Sequence, residues 1–220
     1  MSASVLEILL LLALIQSFEM KCKPTSSDIY GPFYYSGSPR LKRFCKYKRN
    51  DIFYKVPLHV FGRVFACDCK TPLQRVKVEM WQANHEGEYK NNTKCRGFVR
   101  SNKYGFYELV TIYPGKYSTS ADGRDLRPAH LHFKINGRKG HKSLVTQMYF
   151  DGDEHLGHID PCTSCSSKKK DLMTKPKRMC GLNGRKRHYC VDSVEFNITL
   201  AKGKGLHVSA VEDEGDNKVC

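Results

Sequence analysis

Alternating apolar and polar positions dominate the middle of the chain. In VPLHVFGRVFA, the apolar residues Leu58, Val60 and Val64 fall on one face of an extended strand, and RVKVEMWQA alternates in the same way through Val78 and Met80. Four more segments have strand composition: GFYELVTI, AHLHFKI, LVTQMYF and VEFNITLA. Each segment is short enough to be a single strand with one buried face.

Turn-forming residues separate these candidate strands. They occur at Asn102-Lys103-Tyr104-Gly105, at Tyr113-Pro114-Gly115 and at Asn136-Gly137. No long helical period occurs between residues 50 and 200. Many short strands with frequent turns indicate an all-β sandwich or barrel. We predict a β-sandwich of mostly antiparallel strands.

The chain length of 220 residues suits one domain with appendages. The apolar run SVLEILLLLALIQSF near the start has the length of a secretory signal, which we place at residues 1–17; an amphipathic or buried first helix is the alternative. The sandwich domain is expected over 18–202, beginning with an irregular arm before Asp51. Residues 203–220 read as a loose acidic tail.

The cysteine count favours an oxidising compartment. Ten cysteines, an even number, follow the signal-like segment, and in a secreted chain such cysteines form disulfides. Zinc binding is the rival explanation for Cys67-x-Cys69 and Cys162-x-x-Cys165, and the order of the cysteines leaves their pairing open. Two sequons, at Asn91 and Asn197, are compatible with glycosylation in the secretory pathway.

The formal net charge of +15 predicts attraction to polyanions. Much of this charge lies between Lys168 and Arg187, inside a cysteine-rich insertion at about 160–190 that contains few apolar residues. A solvated, disulfide-stapled basic loop is the simpler interpretation, and a weak site for nucleic acid or glycans is the alternative. No aromatic ladder of the kind that binds single strands interleaves these charges.

The segment RPAHLHFKI carries the most specific chemistry. In a strand, His130 and His132 point to the same face, with Cα atoms about 6.5–7 Å apart, whereas Leu131 and Phe133 point the other way. Two imidazoles at this spacing either pack or share a metal ion. No acid stands beside them as the third ligand of a ferrous site, but tyrosines recur where strands run into turns. A phenol ionises near pH 10, so its ligation at neutral pH requires a strong Lewis acid such as ferric iron.

Five sequence blocks, in order, resemble the intradiol ring-cleavage dioxygenases, the group of catechol 1,2-dioxygenase and protocatechuate 3,4-dioxygenase. The blocks are DIYGPFYY, VEMWQANHEGEY, CRGFVRSNKYGFYELVTIYPGKY, RPAHLHFKI and LVTQMYFDGD. The resemblance covers about residues 28–155 and extends weakly to VEFNITL. Five blocks in sequence order are far more specific than any one of them.

The resemblance implies an enzyme that uses one ferric ion per chain and dioxygen to cleave catechols to cis,cis-muconate-type products. The signal-like segment and the cysteines predict that this enzyme is secreted. The resemblance also implies a role for Tyr117 as acceptor of a substrate proton, for Arg127 as the cation over the bound ring, and for Gln147 as the residue that orients this arginine. The four iron ligands that it implies are Tyr89, Tyr117, His130 and His132.

Departures from the bacterial pattern shape three further expectations. No helical segment of the kind that joins bacterial subunits is evident, which favours a monomer. No arginine stands out as a partner for a substrate carboxylate, which favours neutral catechols, and Tyr30 and Phe33 of the arm either accept the substrate ring or serve as packing anchors. The competing functions are an extradiol dioxygenase, and a secreted sandwich without catalysis that binds glycans or other polyanions.

Overall fold

The structure is a computed structural model that describes residues 22–45, 56–89, 95–138, 140–182 and 188–207. The predicted signal peptide, the sequon at Asn91, Cys220 and most of the predicted acidic tail lie outside these residues. The same is true of 183–187 in the basic stretch.

The described residues form eleven strands, and their only helical segments are two 3-10 turns at Gly157–Ile159 and Lys170–Leu172. The strands are β1 (Leu58–Phe65), β2 (Lys77–Trp81), β3 (Arg96–Arg100), β4 (Phe106–Thr111), β5 (His130–Ile135), β6 (Ser143–Phe150), β7 (Met173–Thr174), β8 (Lys177–Leu182), β9 (His188–Glu195), β10 (Ile198–Thr199) and β11 (Leu206–His207). No helix within the described ranges has the length and apolarity needed to cross a membrane.

The strands make two mixed sheets. One has the order β10-β1-β9-β8, with β4 also paired to β1, and the other has the order β11-β6-β5-β2-β3, with β7 also paired to β6. The long ladders β1–β4, β2–β3, β2–β5, β5–β6 and β8–β9 are antiparallel, whereas β9 and β10 run parallel to β1. The prediction of an all-β, mostly antiparallel sandwich is therefore confirmed.

The alternating apolar residues of both sheets form one core between them. Leu58, Val60 and Val64 of β1 are fully buried, as are Leu131 and Phe133 of β5. Because side chains alternate across a strand, burying these two residues of β5 directs His130 and His132 to the opposite face.

The sequence prediction missed or misplaced several elements. β3 was not predicted as a strand, and VEFNITLA is divided between the end of β9 and β10, because Phe196 and Asn197 interrupt the pairing. The basic insertion predicted as a loop contains β7, β8 and the start of β9. β8 pairs antiparallel with β9 and is joined to it by the Cys180–Cys190 disulfide. The sequence predicted a disulfide staple here but left its pairing open, and it did not predict the strand content.

Two disulfides hold the N-terminal arm, residues 22–45, at both of its ends. Cys22 bonds to Cys69 in the β1–β2 connection, and Cys45 bonds to Cys95 beside β3. The arm has no regular strand of its own, as predicted, and isolated bridges pair it with β3 and β4.

The cysteines of the two motifs proposed for zinc also form disulfides. Cys162 bonds to Cys165, and Cys67 is also disulfide-bonded. The zinc alternative for the CxC and CxxC motifs is therefore wrong, because their sulfurs are already used. Multiple disulfides are typical of proteins that fold outside the reducing cytosol.

The connections after β2 and β4 cross with their backbones in direct contact. A Cβ on Gly115 would lie 2.4 Å from the Gly87 nitrogen and the His85 oxygen, and the Gly115 N–H donates to the Asn84 carbonyl over 2.7 Å. The Asn84 side chain in turn accepts from the backbone N–H groups of Glu86 and Glu88. This contact fixes the positions of two loops. One loop carries Tyr89, two residues after Gly87, and the other carries Tyr117, two residues after Gly115.

We expect Gly115→Ala to lower the free energy of unfolding by about 3 kcal/mol, because the new methyl group has to push two backbones apart. Gly181→Ala is the matched control, since a Cβ there would lie 3.7 Å from the Tyr189 ring, at ordinary contact distance. Denaturant unfolding of both variants measures the effect. Equal stability of the two variants would show that the crossing does not require glycine.

Candidate metal centre

The register of β5 against its neighbours places the two histidines among functional side chains. His132 lies opposite Trp81 of β2 and Gln147 of β6, and His130 lies opposite Tyr149. The Trp81 ring stacks on His132 with 4.8 Å between the centroids and 6° between the planes. The stack, together with the paired strands, fixes the orientation of the His132 ring.

The imidazole nitrogens of the two histidines converge. The Nε2 atoms of His130 and His132 are 3.1 Å apart, and the Tyr89 hydroxyl lies 3.2 Å from His132 Nε2. His130 Nδ1 lies 2.7 Å from the Pro128 carbonyl oxygen, which requires the proton on Nδ1 and leaves the lone pair on Nε2. At least one nitrogen lone pair therefore points into the space between the rings.

Both histidines are held uncharged. Burial, reinforced by the nearby Arg127 guanidinium, lowers the pKa of His130 to about 3. Burial also lowers the pKa of His132 well below its usual value, with further contributions from His130 and Arg127. Neutral imidazoles are the form in which histidine binds metals.

The two tyrosines complete the group, named here the His–Tyr cluster: His130, His132, Tyr89 and Tyr117. The Tyr117 ring lies edge-on to Tyr89, with 5.4 Å between centroids, and 5.8 Å from the His130 ring. The Arg127 N–H donates to the Tyr117 carbonyl over 2.9 Å, which brings the loop after β4 against the residues before β5. Residues from three distant parts of the sequence thus meet at one point.

The buried donor atoms of the His–Tyr cluster fit a metal ion. Two ligand atoms bound side by side at about 2.1 Å from a metal lie about 3 Å apart, close to the separation of the two Nε2 atoms. The second nitrogen of His132, Nδ1, is buried without a hydrogen-bond partner in the described structure. Burial, followed by the neighbouring Tyr117, raises the pKa of Tyr89, so this phenol stays protonated unless a strong Lewis acid binds it.

Within the described residues no group of three or more His, Cys, Asp or Glu side chains could hold a metal ion. The groups beside the two imidazoles are phenols instead. A two-histidine, one-carboxylate site has no support in the described part of the chain.

Arg127 lies beside the cluster in a buried hydrogen-bond network. Its Nη1 is 3.5 Å from His130 Nε2, and its Nη2 donates to Gln147 Oε1 over 3.3 Å and to the Tyr149 hydroxyl over 3.1 Å. Asp160 accepts from Nε and Nη2 over 3.0 and 3.1 Å. Burial alone would lower the pKa of Arg127, but the hydrogen bonds and charge of Asp160, together with Tyr149 and Tyr117, raise the pKa above its usual value.

Asp28 closes the network from the side of the arm. The Tyr149 hydroxyl donates to Asp28 Oδ2 over 2.8 Å, and Gln147 Nε2 donates to Asp28 Oδ1 over 3.3 Å. Burial raises the pKa of Asp28 even though hydrogen bonds from Ile29, Tyr149 and Ser166 oppose the shift. Arg127, Gln147 and Tyr149 thus lie between two buried aspartates, Asp28 and Asp160.

The arm also covers the His–Tyr cluster directly. Gly31 has φ +68°, and a Cβ there would lie 3.2 Å from His132 Cε1, so the backbone packs against the imidazole. Phe33 stacks on Tyr89 with 4.2 Å between centroids and 13° between planes, and Tyr30 stacks at 6.3 Å on Trp81. Both aromatic residues therefore have packing partners at the edge of the site.

All six residues predicted for the site lie in these connected contacts. The sequence prediction did not assign Asp28, Tyr149 or Asp160. Tyr149 could have been found, because it follows Gln147 by two residues and so shares its face of β6. Asp28 and Asp160 lie in irregular segments, where no periodicity indicates which way a side chain points.

Known proteins have sequences similar to this chain. A family model described as "Dioxygenase" (Dioxygenase_C) matches residues 29–201. Hydroxyquinol 1,2-dioxygenase of Nocardioides simplex is 28% identical over 196 residues, covering 80% of this chain and 64% of that protein. Catechol 1,2-dioxygenase 2 of Acinetobacter lwoffii is 32% identical over 149 residues, covering 60% and 53%.

The fold agrees with solved structures as well. The crystal structure of 3-chlorocatechol 1,2-dioxygenase from Rhodococcus opacus 1CP superimposes with a TM-score of 0.68 at 24% identity, covering 89% of this chain and 78% of that one. The chain spans 64% and 53% of the lengths of the two sequence relatives. The family model nevertheless covers most of the sandwich, including every residue of the His–Tyr cluster. The chain therefore belongs to the intradiol ring-cleavage dioxygenase family.

Proposed function

We propose that this protein is a ferric, non-haem dioxygenase that cleaves catechols between their hydroxylated carbons to give cis,cis-muconate-type products. The observation that carries the proposal is the convergence of two uncharged imidazoles, whose Nε2 atoms are 3.1 Å apart, with the Tyr89 hydroxyl. Membership of the intradiol family supports the same reaction.

The proposed iron ligands are Tyr89, Tyr117, His130 and His132. When bound, ferric iron would supply the Lewis acidity that ionises the phenols and draws electron density from a chelated catechol. The raised pKa of Tyr89 fits this choice, because a weaker Lewis acid would leave the phenol protonated. The four side chains come from two strand-to-turn loops and one strand, so the fold itself sets their arrangement.

Arg127 and Tyr117 are proposed to act on the substrate. A guanidinium keeps its charge under all working conditions, so Arg127 can stabilise negative charge that develops on the ring. Its distance of 3.5 Å from His130 Nε2 supports a role beside the proposed metal position. Tyr117, which is only partly buried, is the phenol proposed to accept a proton from the catechol.

Gln147 supports the arginine rather than the substrate. Its oxygen accepts from Arg127 Nη2, and its amide nitrogen donates to Asp28 and to the Ile29 carbonyl. Each polar atom of this side chain is therefore used within the protein, which fits a role in orienting Arg127.

We further propose neutral catechols as substrates and an oxidising compartment outside the cytosol as the site of action. The guanidinium nearest the cluster is already paired with Asp160, and Lys134 donates to the Tyr34 hydroxyl over 3.0 Å, so both cations have partners. The four described disulfides support secretion, as does the signal-like sequence at residues 1–17.

The first test of the proposal is optical and chemical. We expect concentrated, iron-loaded protein to be reddish, because ionised tyrosines transfer charge to ferric iron, and to contain about one iron per chain. The protein should consume oxygen with at least some members of a panel of catechols. The products should be muconates, identified by absorbance and mass. A colourless protein without iron would contradict the proposal, and a semialdehyde product would identify an extradiol enzyme instead.

The second test removes single ligands. We expect Tyr89→Phe and His132→Ala each to bleach the visible band or strip the iron and to lower kcat/KM at least about 100-fold, since each deletes one donor atom. Tyr104→Phe and His158→Ala are the matched controls, because both residues are exposed. Full activity with normal colour in either ligand variant would refute that ligand assignment.

A second candidate function is polyanion binding by the basic stretch, either beside catalysis or, in a protein without activity, in place of it. Five lysines of this stretch are exposed, and the described part of the chain places no carboxylate within ion-pair distance of them. They are Lys168, Lys169, Lys170, Lys175 and Lys177. Unpaired exposed cations attract polyanions through long-range, salt-sensitive forces.

Replacing Lys168, Lys169 and Lys170 together by glutamine should lower the salt concentration at which the protein elutes from immobilised heparin. The control is the same change at Lys23, Lys70 and Lys103, three exposed lysines elsewhere, which alters net charge equally. If both triple variants elute together, retention follows net charge alone and the basic stretch is not a site.

A further inference from the structure

Asp160 and Arg127 form a buried, two-point ion pair. The Asp160 oxygens accept from Arg127 Nε and Nη2 over 3.0 and 3.1 Å, and the side chains are 0% and 1% exposed. A planar guanidinium held at two points by a carboxylate loses its rotational freedom. The pair therefore determines where the third nitrogen, Nη1, points.

That third nitrogen is the one directed at the His–Tyr cluster. Nη1 lies 3.5 Å from His130 Nε2, whereas Nη2 is shared among Asp160, Gln147 and Tyr149. Asp160 thus occupies the side of the guanidinium opposite the cluster and leaves Nη1 as the atom available to a bound ring.

A disulfide-closed turn holds Asp160 itself in place. The Cys162 N–H donates to Asp160 Oδ1 over 3.0 Å, and the Cys162–Cys165 bond closes residues 162–165 into a ring. Immediately after the ring, the Ser166 N–H donates to Asp28 over 3.0 Å. One short turn therefore braces both aspartates of the arginine network.

We propose that Asp160 is a positioning residue for Arg127, and that the Cys162–Cys165 turn keeps its carboxylate in place. The catalytic consequence rests on the proposed ring-cleavage function, since it concerns charge stabilisation by Arg127. The geometric part of the proposal does not depend on iron or turnover. The two parts can therefore fail separately.

The chain offers a matched control in a second two-point pair. Arg178 donates from Nε and Nη2 to Asp192 over 2.8 Å in each case, but its side chain is 60% exposed and the pair belongs to the other sheet. Asp160→Asn and Asp192→Asn thus make the same chemical change, near the cluster and away from it.

Steady-state kinetics tests the catalytic part. We expect Asp160→Asn to lower kcat about 100-fold with KM changed less than about threefold, because misplacing a charge-stabilising donor acts mainly on the transition state. Iron content and the visible band should persist, and Asp192→Asn should retain wild-type kinetics. A kcat within about threefold of wild type in Asp160→Asn would overturn the positioning role.

A pair of variants keeps the test valid even if Asp160→Asn fails to fold. Arg127→Gln removes the group to be positioned, and the double variant Arg127→Gln with Asp160→Asn also removes the buried charge left behind. If Asp160 acts through Arg127, the double variant should have the same kcat as Arg127→Gln. A further loss of more than about tenfold would show that Asp160 acts in another way.

NMR of the iron-free protein tests the geometric part independently of activity. We expect the Arg127 Nε–H signal, assigned by its loss in Arg127→Lys, to exchange slowly with water and to exchange rapidly in Asp160→Asn. The exposed Arg178 Nε–H supplies the rapid reference. A rapid Arg127 signal in the wild type would overturn the proposal, whereas a slow signal in a protein without iron binding or turnover would contradict only the proposed function.

Discussion

Strand β5 imposes the constraint on which the candidate site depends. Its side chains alternate between the sandwich core and the opposite face, so the burial of Leu131 and Phe133 fixes the direction of His130 and His132. A shift of one residue in register would exchange the two faces and bury the imidazoles in an apolar core. The antiparallel ladders with β2 and β6 on either side prevent that shift and set Trp81 and Gln147 beside His132.

Burying uncharged imidazoles next to a cation is costly unless their ring nitrogens and ring faces find partners. The protein lowers this cost with neutral partners, such as the Pro128 carbonyl for His130 and the Trp81 ring for His132. It also confines the buried positive charge of Arg127 by pairing it with Asp160. A metal ion that accepts the lone pairs would remove much of the remaining cost, which gives the proposed iron a thermodynamic as well as a chemical role.

The tyrosines and the arm reach the site by other means than strand pairing. Tyr89 and Tyr117 lie on loops, and the glycine-to-glycine backbone contact between these loops takes the place of a ladder. The arm has no regular structure, yet disulfides at Cys22 and Cys45 hold its ends, and Asp28 ties its middle to the arginine network. Covalent bonds and buried polar contacts thus give irregular segments the rigidity that hydrogen-bonded strands have inherently.

Local sequence was sufficient to predict those features that depend on a single strand or a single turn. The period-two pattern predicted the all-β fold and the shared face of His130 and His132, because alternation is a property of the extended backbone itself. Ordered motifs predicted Tyr89, Tyr117, Arg127 and Gln147 as site residues by resemblance. The strand content of the basic stretch was missed, because β8 is exposed along almost its whole length and carries charged residues, so it lacks an apolar period.

Only the tertiary structure decided how distant segments combine. Contacts between residues far apart in sequence decide which cysteines pair and bring Gly87 against Gly115. Such contacts also bring Asp28 and Asp160, from two distant segments, to the network of Arg127. The physical reason is that a strand dictates the direction of its own side chains, whereas an irregular segment takes its conformation from whatever it packs against. The sequence by itself determined that His130 and His132 share one face of a strand. The folded chain determined which residues surround them.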